Sequence, residues 1–126
     1  MFRQLLLLAI ILLLALTCVS IGCQSKVPLM NTPVDVVGKL TKAGKPVGNL
    51  TLTLQPLETG HMVPMKVGAD GSFKGNIVPG KYAYFISANE DGGESALQGL
   101  DGSLKEANMQ RTVTVQAGQA NLEVTL

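Results

Sequence analysis

The 126-residue chain carries 10 Lys and Arg against 9 Asp and Glu, a formal net charge of +1 with its single histidine neutral. That balance excludes the basic footprint nucleic-acid binding requires and offers no polybasic patch to anionic lipid. Both cysteines precede residue 24, so the rest of the chain has no disulfide framework, cysteine zinc site or thiol nucleophile.

The first residues do not read as part of a fold. Met1-Phe-Arg-Gln4 is a short n-region with one positive charge, and 5–16 is an unbroken apolar run. A run of that length suits the h-region of a signal peptide, whereas a spanning helix needs roughly twenty apolar residues. Counting Thr17, Cys18 and Ser20 would stretch the run to Gly22, so a retained anchor helix stands as the alternative.

The run ends in Ser20-Ile-Gly-Cys23, which resembles a bacterial lipobox, although Ser20 stands where Leu is usual. The resemblance implies cleavage between Gly22 and Cys23 and lipid on Cys23. Cys18 fits less well, because Thr17 precedes it. Each buried acyl CH₂ is worth about 0.8 kcal/mol and one chain holds a protein only marginally. The two or three chains implied at Cys23 would keep the domain on a membrane. Cleavage takes 22 of 126 residues and leaves 104, with nine charges of each sign. That length suffices for one small domain with a modest core.

Residues 24–33 carry Pro28, Asn31 and Pro33 without periodicity and read as a tether. From 34 to 41, Val34, Val36, Gly38 and Leu40 alternate with more polar positions, which predicts a first strand. Lys42-Ala-Gly-Lys-Pro46 is a turn, with Gly44 free to take positive φ and Pro46 setting the exit. Leu50, Leu52 and Leu54 then alternate with Thr51, Thr53 and Gln55, a half-buried strand with a Thr-rich outer face. Residues 62–67 contain Pro64 and belong at a sheet edge, where a missing donor is tolerated.

The stretch 68–86 organises the middle of the domain. Asp70-Gly71 and Pro79-Gly80 are turn signals on either side of a short strand, 72–77, with Phe73 and Ile77 on one face. In Asp-Gly both positions tolerate positive φ. Residues 81–88 are apolar on both faces, so they predict a central strand. Tyr82 and Tyr84 share a face with Ile86, which points to core packing, with Phe73, Tyr82 and Phe85 as its bulk.

An acidic loop follows at 89–94. Ser103-Leu-Lys-Glu106 has the form of a capping box and predicts at most about two helical turns from Ser103. Residues 111–116 and 120–126 predict a hairpin around Ala117-Gly118, with Val113, Val115, Leu122, Val124 and Leu126 inward. Seven short strands separated by turns predict an all-β, antiparallel, seven-stranded β-sandwich over 34–126.

Three of these pieces resemble the carboxypeptidase regulatory-like, transthyretin-like (prealbumin-type) domains of exported bacterial proteins. Val37-Gly-Lys-Leu with Gly44-Lys-Pro-Val47 resembles the family's opening strand and turn. Asp70-Gly-Ser-Phe73 resembles its "D-G-x-F" turn, and Val78-Pro-Gly-Lys-Tyr82 its turn into the central strand. Order and separation match over about 34–88. The chain departs from the family at Gly48-Asn49 and at Gly68-Ala69 before Asp70, which removes the acidic partners a calcium-like cluster there would need. The resemblance implies the β-sandwich, and the layout of lipobox followed by one such domain is similar to small bacterial lipoproteins with no assigned activity.

Catalytic chemistry finds no set of residues. His61 is the lone histidine, on a loop beside Gly60, whereas a metal site or a histidine-assisted nucleophile needs partners. Transthyretin-like hydrolases use several histidines and an arginine, a set this chain lacks. Glu90, Asp91 and Glu94 lack calcium-loop spacing and read as a solvated loop. The expectation is therefore a non-enzymatic envelope lipoprotein with no cofactor or metal. Its partners would be the membrane, through lipid on Cys23, and an envelope protein or a glycan. A carbohydrate- or peptide-binding module is the alternative. Gln24 after the cysteine is not the Asp associated with inner-membrane retention, which hints at the outer membrane.

Overall fold

The computed structural model describes residues 32–58, 60–119 and 121–126. The expected signal segment, the expected cleavage between Gly22 and Cys23, the expected lipidation of Cys23 and the expected tether as far as residue 31 lie outside them. Eight strands are present: β1 (Val34–Lys42), β2 (Lys45–Pro46), β3 (Leu50–Pro56), β4 (Val63–Val67), β5 (Ser72–Ile77), β6 (Gly80–Ala88), β7 (Thr112–Val115) and β8 (Asn121–Thr125). Between β6 and β7 lie a short helix, α1 (Glu94–Gln98), and a 3₁₀ turn, Gly102–Lys105. The strands form an all-β sandwich of two four-stranded sheets.

One sheet, in the order β4-β3-β6-β7, is antiparallel throughout. In the other, β1 is central, with β5 antiparallel on one side and β8 parallel on the other. The Leu40 N–H donates to the Gly71 carbonyl, and the Leu40 carbonyl accepts from the Val47 N–H. Both groups of one strand residue point the same way, so β2 continues the β5 edge of β1. The two sheets face each other through the alternate apolar residues the pattern predicted. Val36, Leu40, Phe73, Ile77, Leu122 and Val124 come from one sheet; Leu50, Leu52, Leu54, Met65, Val67, Tyr82, Tyr84, Ile86 and Val115 come from the other.

The central placement of β6 follows from its two apolar faces, and the edge placement of β4 has a backbone reason. The Leu57 N–H donates to the Lys81 carbonyl, so odd residues of this strand turn their backbone groups toward β6 and even ones toward β4. On β4, Val63, Met65 and Val67 therefore bond β3, and Pro64 and Lys66 face the free edge. Proline sits where no donor is required.

Several expectations are corrected. The 111–126 hairpin does not form: β7 pairs with β6 in one sheet, and β8 pairs with β1 in the other. The chain leaves β7 at the end of the sandwich where β1 begins. There β8 finds the open edge of β1 and runs parallel to it, burying Leu122 and Val124. The capping box at Ser103 does not form either. Asp101 accepts the Ser103 N–H at 2.8 Å and starts a 3₁₀ turn, while Glu106 is extended. The acidic loop runs directly into α1. Phe85 is half-buried on the outer face rather than in the core, and on that face Thr53, between Pro64 and Phe85 in register, is 7% exposed.

Candidate functional site

The two ends of the sandwich differ. The chain enters β1 at Val34, beside Ile77, so residues 32–33, the 78–79 turn and the 116–119 connection share one end. The connections 43–49, 68–71 and 89–93 gather at the other, where the Asn49 N–H donates to the Val67 carbonyl at 3.1 Å. Surfaces near this second end lie away from the start of β1.

The turn residues singled out in the sequence build both ends. Gly44 has φ +76° and follows Ala43 at +50°, the two positive values a type I′ turn demands, while Pro46 pairs with Thr41. At Asp70-Gly71 only the glycine takes positive φ, at +78°, so this is not the mirror-image turn the dipeptide suggested. The Gly71 N–H donates to the Gly68 carbonyl at 2.9 Å, and the Gly68 N–H to the Ser72 carbonyl at 2.8 Å. The Asp70 carboxylate accepts the Ser72 hydroxyl at 2.6 Å and the Ser72 N–H at 3.1 Å, and these bonds hold its pKa below the ordinary carboxylate value. Pro79 and Gly80 lead into β6, and the Tyr82 hydroxyl braces them by donating to the Val78 carbonyl at 2.6 Å. Burial raises the pKa of Tyr82 and of Tyr84, so both stay neutral.

Two surface depressions meet near the second end, and sequence pattern pointed to neither. One is a groove of about 590 Å³ on the outer face of the β1 sheet. Val37, 51% exposed, forms its floor; Lys39, Lys74 and Lys66 lie around it with Asn121 and Glu123. The other is a polar hollow of about 400 Å³ lined by Asn49, Lys66, Asn89, Asp91, Gly93 and Ser95. Lys66 belongs to both. Its ammonium bonds Asp91 at 2.5 Å, which raises the Lys66 pKa and lowers that of Asp91. Thr51 donates to the Asn89 side chain at 2.8 Å and fixes the root of the acidic loop. Only the acidity of 89–94 was legible beforehand; the lysines are scattered over β1, β4 and β5 and converge through pairing.

His61 is exposed on its loop. Among the described residues no three His, Cys, Asp or Glu side chains group as a metal site would need. Among them, too, no helix is long and apolar enough to cross a membrane.

No family model matches the chain, and no curated protein sequence matches it. Among solved structures it is similar to a DUF3823 family protein from Bacteroides ovatus, with 17% identity and a TM-score of 0.47 over 74% of this chain. It is also similar to a DUF3823 family protein from Parabacteroides merdae, with 20% identity and a TM-score of 0.42 over 75% of this chain. The chain spans 43% and 45% of those two proteins, less than half of either.

Proposed function

We propose that this chain is a membrane-anchored lipoprotein of the cell envelope whose β-sandwich is a non-catalytic interaction module of the carboxypeptidase regulatory-like type. The observation that carries the reading is Ser20-Ile-Gly-Cys23 shortly after a twelve-residue apolar run, followed by a tether and one domain. The domain type is supported by where its three motifs fall: the β1–β2 turn, the β4–β5 turn and the approach to central β6. Tethering supplies the mechanism. Acyl chains confine the domain to a surface, and the groove and hollow near the end away from the start of β1 meet the partner.

The intact mass of the membrane-extracted protein tests cleavage and acylation together. A mass equal to residues 23–126 plus a diacylglyceryl group, with or without a third chain, is expected. An unmodified N-terminus at Met1 would sink the reading. Cys23→Ser should leave an unacylated, uncleaved chain.

A carbohydrate- or peptide-binding module is the second reading, favoured by the polar lining of the Asn49–Asn89–Asp91 hollow. Retention of the full-length protein on a glycan or peptide array, lost on Asn89→Ala, would support it over a purely structural role.

A further inference from the structure

The groove and the acidic loop beside it are opposite in charge and lie on either side of Lys66. Lys39, Lys66 and Lys74 line the groove with Glu123, and since Lys66 is bonded to Asp91, Lys39 and Lys74 are its unpaired cations among the described residues. Two nearby acids are already engaged: Asp35 accepts from Asn76 at 2.7 Å, and Asp70 accepts from Ser72. From Asn89 to Leu104 the chain has Glu90, Asp91, Glu94 and Asp101 and no Lys or Arg. Glu90 and Glu94 are exposed and make no ion pair among the described residues. Lys39 and Lys74 are likewise exposed and unpaired among them. The half-exposed Val37 lies beside Lys39 and would be covered by anything seated across the groove.

We propose that the occupant of the groove is the acidic loop of a second copy of this chain. Adjacent patches of opposite charge are what a two-fold axis exchanges: residue i meets j of the partner while j meets i. With the axis near Lys66, Glu90 and Glu94 of each copy reach Lys39 and Lys74 of the other. Asp91 is already bonded to Lys66 of its own copy, so the new pairs rest on Glu90 and Glu94. A foreign acidic segment would satisfy the groove but leave the loop's own carboxylates without a role. Exposed ion pairs contribute roughly 0.2–1 kcal/mol each, so the pairing is weak in free solution and weakens with salt. Confinement to a surface raises the effective concentration and favours it. The contact itself does not require the anchor, so its failure and that of the lipoprotein reading are separable.

Mixed light- and heavy-isotope full-length protein in membranes, treated with a carbodiimide that joins contacting amines and carboxylates, reads the contact directly. Light–heavy peptides linking Lys39 or Lys74 to Glu90 or Glu94 are expected at low salt and should fall at least tenfold at high salt. The paired variants Lys39→Glu/Lys74→Glu and Glu90→Lys/Glu94→Lys should each lose the links, and mixing one with the other should restore them. All four sites are exposed, and the restoration shows that both variants are folded. Absence of light–heavy links in the unmodified protein at low salt would overturn the proposal. So would links to a different protein or an anionic glycan alone, or loss on changing the lysines but not the glutamates.

Discussion

The sandwich has two open sides, and the chain closes them by different means. On one, β4 passes into β5 through the Gly68–Ser72 turn, so the sheets are joined covalently within five residues. Behind it, Met65 packs so closely on Gly75 that a Cβ there would lie 2.6 Å from the Met65 sulfur. On the other side β7 covers β6 only as far as Ala83. The rest is filled by α1 and the 3₁₀ turn, with Leu104 buried at 6% exposure and Leu97 and Leu100 partly buried. The Tyr84 hydroxyl then ties β6 to β8 by donating to the Thr125 carbonyl at 2.7 Å. The first side depends on backbone conformation and the second on buried side chains, so different substitutions should open them.

Gly71→Ala should have the largest effect. The left-handed conformation costs an L-residue about 1–2 kcal/mol. The new Cβ would also lie 2.7 Å from the Leu40 carbonyl oxygen and 3.1 Å from the Pro46 side chain, just past the Lys39–Ser72 end of the β1–β5 pairing. Overpacking of that kind adds about 1–3 kcal/mol, so urea unfolding should show a loss of roughly 2–5 kcal/mol. A loss below about 1 kcal/mol would mean that this side yields and is not held by backbone geometry.

Leu104→Ala comes next, at about 2–3 kcal/mol for a buried leucine near the sandwich margin. A domain of this size should melt roughly 10 °C lower or more. Tyr84→Phe keeps the ring and leaves the Thr125 carbonyl without that donor, so about 1 kcal/mol is expected. Hydrogen exchange sharpens the contrast: Leu104→Ala should speed exchange in β8 and α1 while leaving Phe73 and Gly75, whose N–H groups face β1, protected. Equal acceleration on both sides would show that they do not open separately.

The same contrast explains what could be read from the sequence. From 34 to 88 each strand is bounded by its own turn chemistry, and alternation alone assigns its faces: Leu50, Leu52 and Leu54 inward, and Tyr82, Tyr84 and Ile86 with them. The Pro64 edge is legible for the same reason, since a missing donor is a local property. Beyond Ala88 the outcome depends on which edges remain open. Thr112–Val115 and Asn121–Thr125 alternate just as a hairpin would. Nothing within them records that β6 has room for four residues of partner or that β1 has a free edge. Phe85 misleads because both faces of β6 are apolar, and parity relative to β3, not composition, turns it outward. The lysine-lined groove was invisible because its lysines come from three strands in two sheets.

Acid should loosen both sides by one mechanism, with the smallest effect of the set. Each side has an aspartate bonded to a backbone N–H two residues on: Asp70 to Ser72 at 3.1 Å and Asp101 to Ser103 at 2.8 Å. In Asp70 the Ser72 hydroxyl and N–H lower the pKa, and in Asp101 the Ser103 N–H is the leading cause. A depressed folded pKa means that the unfolded chain binds the proton more tightly. The stabilisation is therefore fully present above the ordinary carboxylate pKa of about 4 and is lost as pH falls through the lower folded values. Both groups are exposed, so solvent screening keeps the contribution small. In the wild type the urea midpoint should fall as pH is lowered through that window. Asp70→Asn and Asp101→Asn should each flatten the fall, and the double variant should flatten it by the sum, because the two sites share no partner. A slope unchanged in the double variant would assign the acid sensitivity to other carboxylates, with Asp91 and its bond to Lys66 the first to examine.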